Sequence, residues 1–197
     1  MIVVAITALA IAATPPDYDT RYFEVRELNN AEGCALTGDW TLEGRSTIYV
    51  QVEQETDGSL AVSATSYGWT RLPSDAIKLL GLSFHSTGQE SQVFTMAGYP
   101  TSPRPGLVSV IREDERELFL RSFASSQSVN IYPADIPPED EDAPKYDLKL
   151  ALQAGLTGSS DAVASLRRCV ADVKRREDAR RAREARNDHI TKDPFSD

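Results

Sequence analysis

Two cysteines, two histidines and a surplus of carboxylates are the residues of this chain best suited to chemistry. Cys34 and Cys169 could bind a metal, act as thiols or join as a disulfide. A His/Cys metal centre needs three or four converging ligands. His189 lies in a polar tail with no ligand beside it. His85 falls on the polar side of the alternating run Leu82-Ser83-Phe84-His85. Both histidines read as surface or rim residues, so no metal or cofactor is expected.

Nucleophilic serine chemistry also lacks its pattern. The chain contains no G-x-S-x-G, and Ser74-Asp75-Ala76-Ile77-Lys78 sets the lysine one residue too far for S-x-x-K. Asp114 with Glu115, or the run Glu139-Asp140-Glu141-Asp142, could be imagined as a general acid and base. Both stand in turns or loops without the apolar surroundings that would drive two carboxyl pKa values apart. Gly155 and Gly158, between a strand and a helix, suggest a phosphate loop. The remaining glycines and the G-K-[ST] ending are missing, and a turn plus a helix cap accounts for both. No catalytic residue is assigned.

The bulk properties narrow the setting. The 197 residues suffice for one domain that needs no metal to fold. Net charge is −9 and uneven: residues 167–186 hold nine Lys or Arg against four Asp or Glu, leaving −14 on the rest. An acidic body argues against nucleic acid. Residues 1–13 are almost wholly apolar, too short to span a bilayer, and end in Ala10-Ile11-Ala12 before Ala13. They read as a signal peptide cleaved after Ala12 or Ala13, although the usual positive charge after Met1 is missing. Export to the periplasm or beyond gives the two cysteines a use: a Cys34–Cys169 disulfide closing most of the domain. No membrane span is expected after signal removal.

The positioning elements follow from periodicity. Residues 22–26 suggest a first strand, and 29–33 a turn into Cys34. Trp40 reads as a core or rim aromatic near the disulfide. Ile48, Val50 and Val52 alternate with polar residues, Asp57-Gly58 turns, and Leu60, Val62 and Ala64 alternate again, which predicts a hairpin packed on one face. Residues 74–80 read as a short helix capped by Ser74. Leu82 with Phe84, residues 93–97, Val108 with Val110, and residues 129–132 read as strands. Leu118, Leu120 and Ser122 read as a strand returning from a turn near Asp114. The Pro-rich stretch 99–106 and the acidic, Pro-rich stretch 133–144 read as loops. Leu148, Leu150 and Leu152 alternate as a last strand.

Ser159, Ser160 and Asp161 offer helix caps. Val163, Leu166, Val170 and Val173 then recur at helical spacing, with Cys169 on the flank. This predicts a helix from Ser160 to Arg186, packed on the core as far as Val173 and projecting into solvent beyond it, fraying near Asn187. Asp172–Arg176, Glu177–Arg181 and Arg180–Glu184 are four apart and support it. Many short strands with turns between them predict a mainly β (α+β) fold, an antiparallel β-sandwich or open barrel with a C-terminal helix packed on it and extending into solvent. The domains are 1–13 signal peptide, 17–176 β-rich body, and 177–197 Arg-rich helical extension and disordered tail. Arg175, Arg176, Arg180, Arg181, Arg183 and Arg186 are the candidate partner-binding residues.

The ending Leu152-x-x-Gly155-Leu-Thr-Gly158-Ser-Ser-Asp-Ala162-x-x-x-Leu166-x-x-Cys169 resembles that of small exported bacterial proteins, many of them uncharacterised. Some of these are TagO/VasI-like accessory proteins of type VI secretion. The resemblance covers about twenty residues and the general layout: signal peptide, β-rich body, early Cys, late L-x-x-C. It implies a non-catalytic envelope protein and carries over no catalytic residue. The Arg-rich extension departs from that pattern. The function expected is a non-catalytic exported interaction protein with an envelope partner. Its rivals are an inhibitor or small-ligand carrier on a β-barrel, and an envelope-polymer hydrolase using carboxylates.

Overall fold

The computed structural model describes residues 17–18, 20–29, 32–41, 47–66, 78–86, 92–100, 106–134 and 152–191. The expected signal peptide (1–13), the acidic run (139–142), the Leu148 and Leu150 part of the last strand, and the His189 side chain lie outside the described residues.

Chain order is β1 (Asp17–Tyr18), β2 (Thr20–Glu27), β3 (Gly33–Thr41), β4 (Thr47–Glu55), β5 (Leu60–Ser66), β6 (Lys78–His85), β7 (Gln92–Pro100), β8 (Gly106–Val110), α1 (Arg116–Ser125), β9 (Ser128–Ala134), β10 (Leu152–Gly155) and α2 (Ser159–Thr191). The strands pair in the order β1-β10-β9-β6-β7-β8-β5-β4-β3-β2. Every ladder is antiparallel except the short β1–β10 pair. Among the described residues the β7–β8 ladder has the two pairs Tyr99–Val108 and Pro100–Leu107, so two five-stranded halves join through a narrow seam.

The sheet curls on itself for a covalent reason. β1 and β2 lie at opposite ends of the strand order, yet one residue separates them in the chain. Two successive Cα steps of about 3.8 Å reach at most ~8 Å, so the two edges must meet at that point. Trp40 Nε1 of β3 donates to Gly155 O of β10 at 2.6 Å, tying the same two edges together again. The result is an open barrel, mainly β, with α1 and α2 packed on its apolar face.

Period-two alternation supplies that face. β5 alternates buried and half-buried residues throughout, with Leu60, Val62 and Ala64 buried. Leu36, Trp40, Val50, Val52, Leu82 and Phe84 continue the core. The β4–β5 turn forms at Asp57-Gly58, where Gly58 takes φ 91°, a region open to glycine. Asp57 Oδ1 accepts the Ser59 backbone N–H at 2.7 Å. The Ser59 hydrogen bonds hold the Asp57 carboxyl below the usual aspartate value. Its contribution to the turn is therefore present above that ordinary value and lost as pH falls through the lowered one.

Two sequence expectations need correction. Residues 116–125 form α1, not a return strand. Leu118 and Leu120 imitate a two-residue period. The buried set is instead Phe119, Leu120, Ser122 and Phe123, one helical face, and Leu118 is exposed. Lys78, Leu79 and Leu80 open β6 rather than ending a helix, because Leu80 shares the buried face of Leu82 and Phe84. Residues 74–77 lie outside the described residues.

A chain of edge-on rings fills the interior. Trp40 meets Phe23 at 5.8 Å between centroids, and Phe23 meets Phe123 at 5.9 Å. Phe123 meets Phe84 at 6.1 Å, and Phe84 meets Phe94 and Phe119 at 5.7 and 5.5 Å. Gly38 leaves the room that the Trp40 ring occupies. A Cβ there would fall 2.3 Å from the Trp40 ring and 2.9 Å from Phe23. Gly38→Ala should therefore destabilise the fold by roughly 1–3 kcal/mol through overpacking. A urea unfolding curve followed by far-ultraviolet circular dichroism checks this. No change would mean that the ring moves aside freely.

Candidate functional site

α2 is held to the body by a series of attachments along its first half. Gly158, at φ 85°, turns the chain from β10 into the helix. Ser159 is buried, and its hydroxyl donates to Ala124 O of α1 at 3.4 Å instead of serving as a free cap. Ala162, Val163, Leu166 and Val173 are buried, with Val170 packed half-buried beside them. This is the stripe expected from the sequence, and it ends at Val173.

On the flank of that stripe Cys169 is joined to Cys34 of β3, with Cα atoms 6.1 Å apart. Cys34 is fully buried in the core. The chain has no free cysteine. About two turns further on, Arg176 pairs with Glu27 of β2. Thr56, just past β4, donates through Oγ1 to Glu177 Oε2 at 3.3 Å. From Asp178 to Arg186 every residue is exposed. The helix continues to Thr191, past the fraying point expected at Asn187.

The six candidate arginines are spread along α2 and not gathered into one patch. Arg175 pairs with Asp172, Arg176 with Glu27, Arg181 with Glu177, and Arg180 with Glu184 at 3.9 Å. The expected Asp172–Arg176 pair is thus replaced. Arg176 Nε instead reaches the Asp172 backbone carbonyl at 3.4 Å. Among the described residues Arg183 and Arg186 have no acidic partner within reach. The projecting segment, residues 178–191, holds four arginines against Asp178, Glu184 and Asp188, so most of the basic excess lies on the docked part. Each exposed pair contributes about 0.2–1 kcal/mol; the three within α2 support it as a helix, and Arg176–Glu27 alone of the four reaches the body.

The other residues weighed for chemistry stand apart from α2. His85 Nε2 lies 3.0 Å from Asn130 Nδ2 and 3.1 Å from Ser83 Oγ, on the strand face opposite Leu82 and Phe84. His85, Asn130 and Ser83 thus form one polar contact on that face. Asp114 forms a solvent-exposed pair with Arg112 at 2.8 Å, in a single 3-10 turn, Glu113–Glu115, that precedes α1. Among the described residues no three His, Cys, Asp or Glu could hold a metal ion. No described helix is long and apolar enough to cross a membrane.

Comparison with protein-family models, curated proteins and solved structures finds no match to this chain. Two features were beyond sequence reasoning. Glu27 and Thr56 are far from α2 in the chain, and nothing local marks them as its anchors. The second feature is a pair of solvent-open grooves along the β2–α2 seam. One, of about 540 Å³, is lined by Phe23, Val25, Thr157, Gly158, Asp161, Ala162 and Ser165. The other, of about 520 Å³, is lined by Glu27, Asp172, Arg175, Arg176 and Ala179. The alternation of Phe23 and Val25 in the predicted first strand was the available signal.

Proposed function

We propose that this chain is a non-catalytic, exported binding protein of the cell envelope that presents α2 to a protein partner. The observation that carries this is the Cys34–Cys169 bridge. It fastens α2 to β3 two turns before the helix leaves the body. A covalent anchor there resists force on the projecting end, and such bridges persist in oxidising compartments. The apolar run 1–13 fits a signal peptide for that route. The resemblance to TagO/VasI-like accessory proteins points the same way. Arg183 and Arg186, with Arg175, Arg176, Arg180 and Arg181 behind them, are the residues we assign to the partner contact.

The test uses two baits against envelope extract: the mature chain and a version ending at Arg176. A partner held by the first and lost by the second is the expected result. Equal capture by both moves the contact off the rod. Capture by neither removes the support for a binding role, and catalytic assays with envelope polymers become the next experiment.

A further inference from the structure

We infer that Cys169 is the exchange sulfur of the Cys34–Cys169 pair: an outside thiol or disulfide enters and leaves through Cys169, and Cys34 reacts only with Cys169. The two cysteines differ in access. Cys34 has no exposure, and β3 is laddered on both sides of it, to Glu27 of β2 and to Gln54 of β4. Its side chain belongs to the apolar core with Leu36. Baring it requires β3 to leave the sheet, which is an opening of the whole domain. Cys169 is half-buried on the flank of α2, and reaching it parts no strand.

The seam between β2 and α2 brings solvent to that position. Ala162 and Ser165 line one open groove, and Asp172, Arg176 and Ala179 line the other. Cys169 continues the same helical series, four residues after Ser165 and three before Asp172, so it stands where one groove gives way to the other. On the sheet side Val25 lines the first groove and Glu27 the second. Glu27 is also the register partner of Cys34. Thiol–disulfide exchange depends on which sulfur is within reach, and here the seam offers Cys169.

In oxidation, the Cys169 thiolate attacks one sulfur of an outside disulfide RSSR. That S–S bond breaks, a Cys169–SR bond forms and RS⁻ leaves. Cys34, placed to bond Cys169 in the finished pair, then attacks the Cys169 Sγ and expels the second RS⁻. The two RS⁻ groups take up the two cysteine protons. Two cysteines are thereby oxidised and one RSSR is reduced to two RSH. Reduction retraces these steps, with RSH as the reductant and Cys34 as the first leaving sulfur.

The probe is glutathione. The oxidised full chain is incubated with reduced glutathione, quenched with acid at intervals and mapped by peptide mass. Glutathione should appear on the Cys169 peptide and not on the Cys34 peptide. Two single variants, shown to be folded by circular dichroism, read the access directly. In Cys34→Ala the Cys169 thiol should take up glutathione from its disulfide in buffer alone. In Cys169→Ala the Cys34 thiol should do so at least ~100-fold more slowly, the protection of a site bared only when the domain opens. The gap should close in urea that unfolds both variants. Should either variant fail to fold, the full-chain map decides alone. Glutathione on Cys34 of the full chain, no adduct on Cys169, equal rates for the two folded variants, or a gap that persists in urea overturns the inference.

Discussion

Removing the Cys34–Cys169 bridge is expected to lower the free energy of unfolding by about 3–5 kcal/mol. The bridge joins residues 135 positions apart, so it closes most of the described domain into one loop. Loop-closure entropy for that length comes to about 5 kcal/mol, and measured values tend to fall below it. For a domain whose whole stability is of order 5–15 kcal/mol, this is a large share. Cys34→Ala with Cys169→Ala is the cleaner variant, since serine would bury a hydroxyl beside Leu36 at a position with no exposure. Urea unfolding of the oxidised chain, the reduced chain and the double variant gives the number. The m-value should rise once the unfolded chain can expand fully. A loss below about 1 kcal/mol would mean that the apolar stripe ending at Val173 and the Glu27–Arg176 pair hold α2 by themselves.

The bridge was legible in the sequence because only two cysteines exist and residues 1–13 suggest export. The β4–β5 hairpin was legible for a different reason: strict alternation on both sides of Asp57-Gly58 leaves one register. α1 was missed because leucines at positions 118 and 120 satisfy a strand period while Phe119 and Phe123 satisfy a helical one. Only the rings of Phe84 and Phe94 decide between them, and these come from distant strands. Closure of the barrel had no local signal, since it depends on a two-residue parallel pairing of β1 with β10. The anchors of α2 were hidden for the same reason: Glu27 and Arg176 lie 149 residues apart. The arginines were visible as a composition, but their neutralisation by particular acids depends on rotamers and on β2.

The second large effect should come from Trp40. Its ring is fully buried, packs edge-on against Phe23 and occupies the space above Gly38. Its Nε1–H also bridges β3 to Gly155 of β10 at 2.6 Å. Trp40→Ala removes both contributions and leaves a cavity at the meeting of the two sheet edges, so a loss of about 3–5 kcal/mol is expected. Trp40→Phe keeps most of the apolar contact and removes the donor, which should cost about 1–2 kcal/mol. The same substitution frees space over position 38, so Gly38→Ala should be milder in the Trp40→Phe background than alone. A double-mutant cycle by urea unfolding measures that coupling. Additive losses would mean that the ring and the glycine are not in steric register. A Trp40→Phe loss as large as that of Trp40→Ala would instead make the Gly155 hydrogen bond, and not the ring packing, the main closure of the barrel.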